Sequence, residues 1–224
     1  MKRILAILIG GLFLASGAAL ADVVGSQHDL STTGPHSGTA LEATNVTQVC
    51  VFCHTPHQAT AASKQDPLWN HTVSSVASYA LYSSNTLNAN LLAFGGGTTP
   101  GSLNVSQLCM SCHDGTVGVG ALYNNPGVVP DNSTDLIPAG NTNLGSFLDD
   151  DHPVNFTYDS GLATEDGGLN TPSSNAWVDA GKTVPLFTGT VQCGSCHDPH
   201  DTTYGTFLVK TNAQSALCTT CHTK

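Results

Sequence analysis

The sequence predicts a chain that is mostly irregular coil, with short α-helices and minimal β-structure. Only 10% of its 224 residues are charged and 6% are aromatic, so the large side chains that build a core are scarce. Gly, Ser, Thr and Asn fill the connecting segments. About 80 residues without a clear pattern separate the second and third cysteine pairs, which is long for a loop in a compact domain. Another group must therefore supply part of the apolar interior.

The first 21 residues have the pattern of a secretory signal peptide. Met1-Lys2-Arg3 is a positive start, residues 4–20 form an apolar run, and Ala19-Leu20-Ala21 has the small residues of a cleavage site. The mature chain, residues 22–224, is expected to be extracellular or on the outer cell surface, with the periplasm as the alternative. An uncleaved membrane anchor is the competing interpretation, and the small-residue ending disfavours it.

The charge of the chain is strongly acidic. There are 16 Asp and Glu against 6 Lys and Arg, a net charge of −10, and removal of Lys2 and Arg3 lowers it to −12. Such a surface repels phosphate backbones, so no nucleic-acid partner is expected.

All eight cysteines lie in four Cys-x-x-Cys-His motifs. Two thiols one helical turn apart can form thioethers with the vinyl groups of one haem, and the adjacent histidine then lies under the porphyrin as an iron ligand. The pattern therefore predicts four covalently bound haem c groups. The motifs are Cys50 and Cys53 with His54, Cys109 and Cys112 with His113, Cys193 and Cys196 with His197, and Cys218 and Cys221 with His222.

Paired cysteines have three other interpretations. Zinc sites do not require a histidine after every second cysteine, and two-residue spacing suits a structural disulfide poorly. Four copies without a βαβ pattern argue against redox-active dithiols. With haem bound, the macrocycles form the core around which the coil wraps, and a chain without haem is expected to be unfolded.

The segments around the motifs repeat. Residues 45–50 match residues 104–109, and residues 212–217 are a looser third copy. Asn followed by Gln three residues later is typical of a capping box, which predicts short helices leading into these motifs. A small β-hairpin is predicted over residues 176–184.

A second repeat follows the motifs. Cys-His-Thr-Pro-His and Cys-His-Asp-Pro-His place an extra histidine after motifs one and three only. This alternation predicts two dihaem units, at approximately residues 22–125 and 126–224.

Histidine is the predicted sixth ligand of each iron. Apart from Met1, the only methionine is Met110, which lies between the cysteines of its own motif and cannot reach the far face of that haem. Bis-His ligation and low reduction potentials follow. Six histidines lie outside the motifs: His28, His36, His57, His71, His152 and His200.

Four of these histidines are candidate ligands by their local sequence. His57 and His200 lie three residues after a proximal histidine, and the preceding proline directs them towards a neighbouring haem. His152 follows three aspartates, where a carboxylate could hold its Nδ1 atom. His28 is the fourth. His71 remains open between ligand and packing residue, and the sixth histidine, in a Gly-Pro loop, is expected at the surface.

The short sequence segments in and between the motifs, and their order, resemble those of a known family. They are His28-Asp29-Leu30-Ser31, Cys50 to His57, Pro67-Leu68-Trp69-Asn70, Cys112 to Thr116, Asp151-His152-Pro153-Val154 and Cys196 to His200. Across the mature chain this set resembles the OmcE-type tetrahaem outer-surface c-type cytochromes of metal-reducing bacteria, which are extracellular filament subunits.

The resemblance implies closely stacked bis-His haems in a continuous chain, a mostly coil fold and polymerisation into a conductive filament. It also implies that one histidine binds a haem of the next subunit. It disfavours His71 and leaves His28, His57, His152 and His200 as distal ligands. His57 is hypothesised to cross to the last haem of the neighbour.

The predicted function is extracellular electron transfer, without catalysis. Electrons would come from other cytochromes and pass to acceptors such as metal oxides, through a head-to-tail homopolymer that has no membrane anchor in its mature form. A periplasmic shuttle that does not polymerise is one alternative. A multihaem reductase is another, but it needs an open iron beside acid and base groups, and the mature chain has no Arg.

Overall fold

The computed structural model describes residues 22–57, 68–94, 104–125 and 127–223. The predicted signal peptide, residues 1–21, and Pro67 lie outside the described residues. Within the described ranges, no helix has both the length and the apolar character needed to cross a membrane.

The α-helices of the described ranges are short, and three of the four carry cysteine motifs. Helix α2 begins after Asp159, whose side chain accepts from the Leu162 N–H at 2.9 Å, and it ends at Gly167 in the left-handed conformation (φ 68°). The helices are α1 (Val105–His113), α2 (Ser160–Asp166), α3 (Cys193–Cys196) and α4 (Cys218–Cys221), with 3₁₀ turns at Cys50–Phe52 and Ala213–Ser215.

The capping box predicted before the second motif is confirmed. Asn104 Oδ1 accepts from the Gln107 N–H at 2.9 Å, and Gln107 Oε1 accepts from the Asn104 N–H at 3.1 Å. This reciprocal pair fixes the start of α1, because both donors would otherwise lack a partner within the helix.

The helix predicted before the first motif is wrong. Residues 44–49 are turn and coil, and helical geometry begins only at Cys50. The Asn45 side chain is used elsewhere: it donates to the Val129 carbonyl at 2.9 Å and accepts from the Asp131 N–H at 3.1 Å. The Asn45 side chain is therefore used for these two tertiary hydrogen bonds and does not cap a helix.

Strands are few and two residues long. β1 (Ala80–Leu81) pairs with β2 (Phe147–Leu148) in parallel, and β3 (Phe156–Thr157) pairs with β4 (Thr190–Val191) in antiparallel fashion.

The hairpin predicted over residues 176–184 is present as a narrow turn. The Val178 N–H donates to the Val184 carbonyl at 3.0 Å, and Asp179 accepts from the Thr183 N–H at 2.9 Å. The pairing around it is a single antiparallel bridge between Trp177 and Pro185, too short to form a strand.

The apolar core of the described residues is divided into small patches. The largest lies where β3, β4 and α2 meet the 176–184 turn, and three smaller clusters hold four, four and one buried residues. Such patches bury little apolar surface for a chain of this length. The largest comprises Phe156, Tyr158, Leu162, Val178, Val184, Leu186 and Val191.

Candidate haem-binding sites

Three motifs share one backbone design. In motifs one, three and four, a single turn carries both cysteines, and the backbone N–H of the proximal histidine donates to the carbonyl of the first cysteine at 2.8, 3.0 and 2.9 Å. Each histidine then forms an isolated antiparallel bridge with a residue distant in sequence, which holds the end of the turn. The bridges are His54 with Trp69, His197 with Leu208 and His222 with Leu169.

The second motif lies within α1 and is held differently. Its histidine ends the helix, and His113 Nδ1 donates to the Thr142 carbonyl at 2.7 Å. His197 Nδ1 likewise donates to the Thr206 carbonyl at 3.0 Å. Because a carbonyl only accepts, the proton lies on Nδ1, and Nε2 keeps the lone pair that binds a metal.

Three predicted distal histidines lie opposite proximal histidines of another motif. Two imidazoles that share one iron, with bonds of about 2 Å, have ring centres about 6 Å apart. The observed separations fit a bis-His haem iron. They are 6.1 Å for His28 and His113, 5.9 Å for His54 and His200, and 6.3 Å for His152 and His222.

His28 has the surroundings of a neutral ligand. Its ring stacks on Phe207 with centres 4.3 Å apart, and its Nδ1 is buried without a hydrogen-bond partner. Burial, followed by the positive charges of His113 and other nearby histidines, lowers the His28 pKa to about 4. The ring is therefore uncharged near neutral pH and can offer a lone pair.

Asp29 holds the turn that carries His28. Its carboxylate is fully buried and accepts from the Ser31 hydroxyl at 2.6 Å, the Ser31 N–H at 3.1 Å and the Gly25 N–H at 2.9 Å. Burial alone would raise the Asp29 pKa, but these hydrogen bonds outweigh it and lower the pKa. Sequence analysis predicted no role for Asp29 beyond its place in the family pattern.

Two non-glycine residues with positive φ support the third motif. Thr206 (φ 39°) and Phe207 (φ 57°) occupy the left-handed region, which costs about 1–3 kcal/mol per residue and is concentrated at functional sites. Thr206 provides the carbonyl that holds His197, and Phe207 provides the ring that stacks on His28. The strained backbone thus serves two sites.

The carboxylate predicted for His152 is instead found at His200. His152 Nδ1 donates to the Pro153 carbonyl at 2.9 Å, so the predicted aspartate contact at this histidine is wrong. His200 Nδ1 donates to Asp198 Oδ1 at 3.2 Å. The Asp-Pro-His spacing lets the carboxylate turn back onto the ring.

His57 is exposed. Its carbonyl accepts from Thr55 Oγ1 at 2.8 Å and Asn124 Nδ2 at 2.9 Å, which fixes the backbone. Among the proximal histidines, His197 has no second imidazole opposite it in the described chain. His222 already faces an imidazole, which removes the reason to assign His57 to the last haem.

His71 has the contacts of a packing residue. It is 1% exposed, its Nδ1 lies 2.8 Å from the Thr72 carbonyl and its Nε2 lies 3.0 Å from the Gly118 carbonyl. Both ring nitrogens face backbone carbonyls at close range, and Nε2 also lies 3.4 Å from Cys112 Sγ, so neither nitrogen has space for an iron ion. His36 is half-buried, and its Nε2 lies 2.9 Å from the Gln27 carbonyl.

A buried polar network joins the second and third motifs. Ser106 Oγ donates to Gln192 Oε1 at 2.6 Å and accepts from the Cys193 N–H at 3.0 Å. Gln192 Nε2 and Asn104 Nδ2 both donate to Asn155 Oδ1 at 2.9 Å. The sequence pattern did not indicate these contacts, because they join residues 37 to 87 positions apart in the chain.

The packing of α1 against α3 is close at Gly194. A Cβ atom there would lie 2.8 Å from Phe187 Cζ and 2.9 Å from Val105 Cγ1. The adjacent thiols of Cys109 and Cys193 share a hydrogen bond, which raises the Cys109 pKa and lowers the Cys193 pKa. This contact joins the two predicted dihaem units.

The comparisons with known proteins agree with the cysteine pattern. Residues 185–224 match the family model of the doubled CXXCH motif, and this region contains motifs three and four. No curated protein matches the chain. The match supports a class of protein, the multihaem c-type cytochromes, which bind haem c covalently and transfer electrons. Motifs one and two repeat the same spacing outside the matched region.

Proposed function

We propose that the chain is a tetrahaem c-type cytochrome in which bis-His-ligated haems form one path for electrons. The observation that carries this proposal is the set of three imidazole pairs with ring centres 5.9–6.3 Å apart. Bound haem c supplies reversible one-electron exchange at its iron. The protein supplies attachment, ligands and orientation.

Contacts between the sites support a continuous path. His200, which faces His54 of motif one, lies three residues after His197 of motif three. Motif three packs on motif two through α3 and α1, and both contribute to the low pKa of His28. Motifs one, two and three are therefore neighbours in space, although they are widely separated in sequence.

Haem content has a direct test. The mass of the purified secreted protein is expected to equal residues 22–224 plus four haems, and the oxidised spectrum is expected to be fully low-spin. The bare polypeptide mass, or three haems in every molecule, would contradict the proposal.

We further propose an extracellular filament with head-to-tail contacts. His57 is exposed, while His197 has no imidazole opposite it in the described chain. If His57 binds the His197 iron of another copy, that iron gains its sixth ligand and His57 gains a role. A head-to-tail contact that does not close into a ring produces an open polymer. Acceptors such as metal oxides and donor cytochromes are part of this proposal.

The filament proposal is tested with His57→Ala. Negative-stain microscopy of cell-surface material is expected to show no filaments, and about one haem in four is expected to become high-spin. His36→Ala is the matched control and should preserve both. Intact filaments with all haems low-spin in the His57 variant would overturn the assignment.

One observation favours a second function. If His197 stays the sole ligand of its iron, that site is open and a reductase becomes feasible. Binding of nitrite or cyanide by the assembled protein would support this function, and its absence would support electron transfer alone. A soluble periplasmic shuttle would be low-spin without filaments.

A further inference from the structure

We propose that Asp198 is a positioning residue that sets the ring orientation and the donor strength of His200, and that it thereby lowers the reduction potential of the haem held by His54 and His200. This inference rests on the proposed function, because it takes His200 as the distal ligand of the haem held by His54.

The Asp198 carboxylate is placed to fix the His200 ring. Its Oδ1 accepts from the His200 backbone N–H at 2.9 Å and from His200 Nδ1 at 3.2 Å. Both bonds end on one oxygen, and Pro199 between the two residues fixes φ. The ring therefore cannot turn about χ2 without losing the bond at Nδ1.

The backbone of Asp198 is itself anchored. Its N–H donates to the Phe207 carbonyl at 2.7 Å, and its carbonyl accepts from the Asp201 N–H at 3.1 Å. These two hydrogen bonds hold the turn that carries the carboxylate, although the Asp198 side chain is half exposed.

The ring planes distinguish this site from the other two. The planes of His54 and His200 lie within 16° of each other. The other pairs are nearly perpendicular, at 81° and 75°. Parallel axial imidazoles give a rhombic low-spin ferric electron paramagnetic resonance (EPR) spectrum, whereas perpendicular ones give a strongly anisotropic spectrum with one dominant feature at large g. The geometry points to one rhombic haem among these three.

The carboxylate also changes the donor strength of His200. A carboxylate that accepts the Nδ1 proton gives the ring more imidazolate character, which stabilises ferric iron and lowers the reduction potential. At the other two paired sites, Nδ1 of His113 and Nδ1 of His152 face neutral carbonyls, and Nδ1 of His28 has no hydrogen-bond partner. The negative charge of Asp198 beside His200 therefore favours the ferric state at the His54 site.

The test separates orientation from basicity in the haem-loaded protein. Asp198→Asn keeps an oxygen that can accept from Nδ1 but removes the charge, so the rhombic EPR signal should persist while one haem potential shifts positively. Asp198→Ala removes the acceptor, so the rhombic signal should move towards the anisotropic form without high-spin iron. Asp201→Asn is the matched control, since it removes a charge from the same loop where the carboxylate accepts from the Thr203 N–H at 2.8 Å.

The Asn and Ala variants each have a result that would overturn one part of the proposal. A positive potential shift in Asp198→Asn that exceeds the shift in Asp201→Asn supports the effect on basicity, and equal shifts overturn it. An unchanged rhombic signal in Asp198→Ala overturns the effect on orientation. Asp198→Glu, which keeps the charge and displaces the carboxylate, serves if the alanine variant fails to fold. In His200→Ala, a fully low-spin spectrum would instead refute the ligation in the proposed function.

Discussion

The partners of the ring nitrogens separate candidate ligands from the packing histidine. His113 and His152 each donate from Nδ1 to a carbonyl, which keeps Nε2 free for a metal. His71 has a carbonyl at both ring nitrogens and is almost fully buried, so its role is to join two segments of backbone. Residue type alone does not distinguish these roles, because the partners come from distant parts of the chain.

Replacement of His71 by Ala should therefore weaken the fold without exposing an iron. We expect a loss of about 1–3 kcal/mol in the free energy of unfolding, because a buried carbonyl loses its hydrogen-bond donor. All haems should stay low-spin. His28→Ala is the comparison, and it should give a high-spin fraction at the site of His113. Visible spectra and thermal melts measure both effects, and a high-spin fraction in the His71 variant would make it a ligand after all.

The elements are short because their ends coincide with functional positions. The proximal histidines His197 and His222 follow the last residue of α3 and α4 in extended conformation, so each helix is a single turn that presents two thiols. A four-residue helix has little stability of its own, because the free-energy cost of helix nucleation exceeds the stabilisation from the hydrogen bonds of a single turn. Its geometry must come from tertiary contacts, among which the network around Ser106 and Gln192 holds α3 against α1.

Gly194→Ala tests the close packing of α1 and α3. The added methyl group meets Phe187 and Val105 inside 3.0 Å, so the helices must separate, and we expect a destabilisation of about 1–3 kcal/mol. Gly161→Ala, at an exposed position of α2 where a Cβ atom would lie 3.1 Å from the exposed side chain of Asp159, is the matched control and should stay within about 1 kcal/mol of the wild type. Equal melting temperatures for the two variants would show that the helices adapt without cost.

The whole molecule has an apolar interior divided among four small clusters of described residues. Long irregular segments are held by side-chain bonds to backbone, as at Asn70, whose amide donates to the Val51 and Asn124 carbonyls at 2.7 and 3.0 Å. Such bonds each contribute about 1 kcal/mol net, which does not offset the conformational entropy of so much coil. We therefore expect the stability of the protein to depend on its covalently attached haem groups.

A variant with all eight cysteines replaced by Ser is expected to lack a cooperative thermal transition. The haem-loaded wild type should melt cooperatively under the same conditions, because the attached macrocycles contribute folding energy as structural metals do. Far-ultraviolet circular dichroism and calorimetry measure both. A sharp transition in the haem-free variant would show that the side-chain clusters suffice.

The sequence by itself determined the covalent chemistry and the cap of α1, because these depend on residues within five positions of one another. The spacing of Cys218, Cys221 and His222 is one example, and the Asn104–Gln107 capping box is another. Only the tertiary structure decided which distal histidine faces which proximal one and that the carboxylate partner belongs to His200. It also decided that Asn45 bonds to residues 129–131 and does not cap a helix. These outcomes depend on contacts between segments up to about 150 residues apart, whose closure a local pattern does not encode.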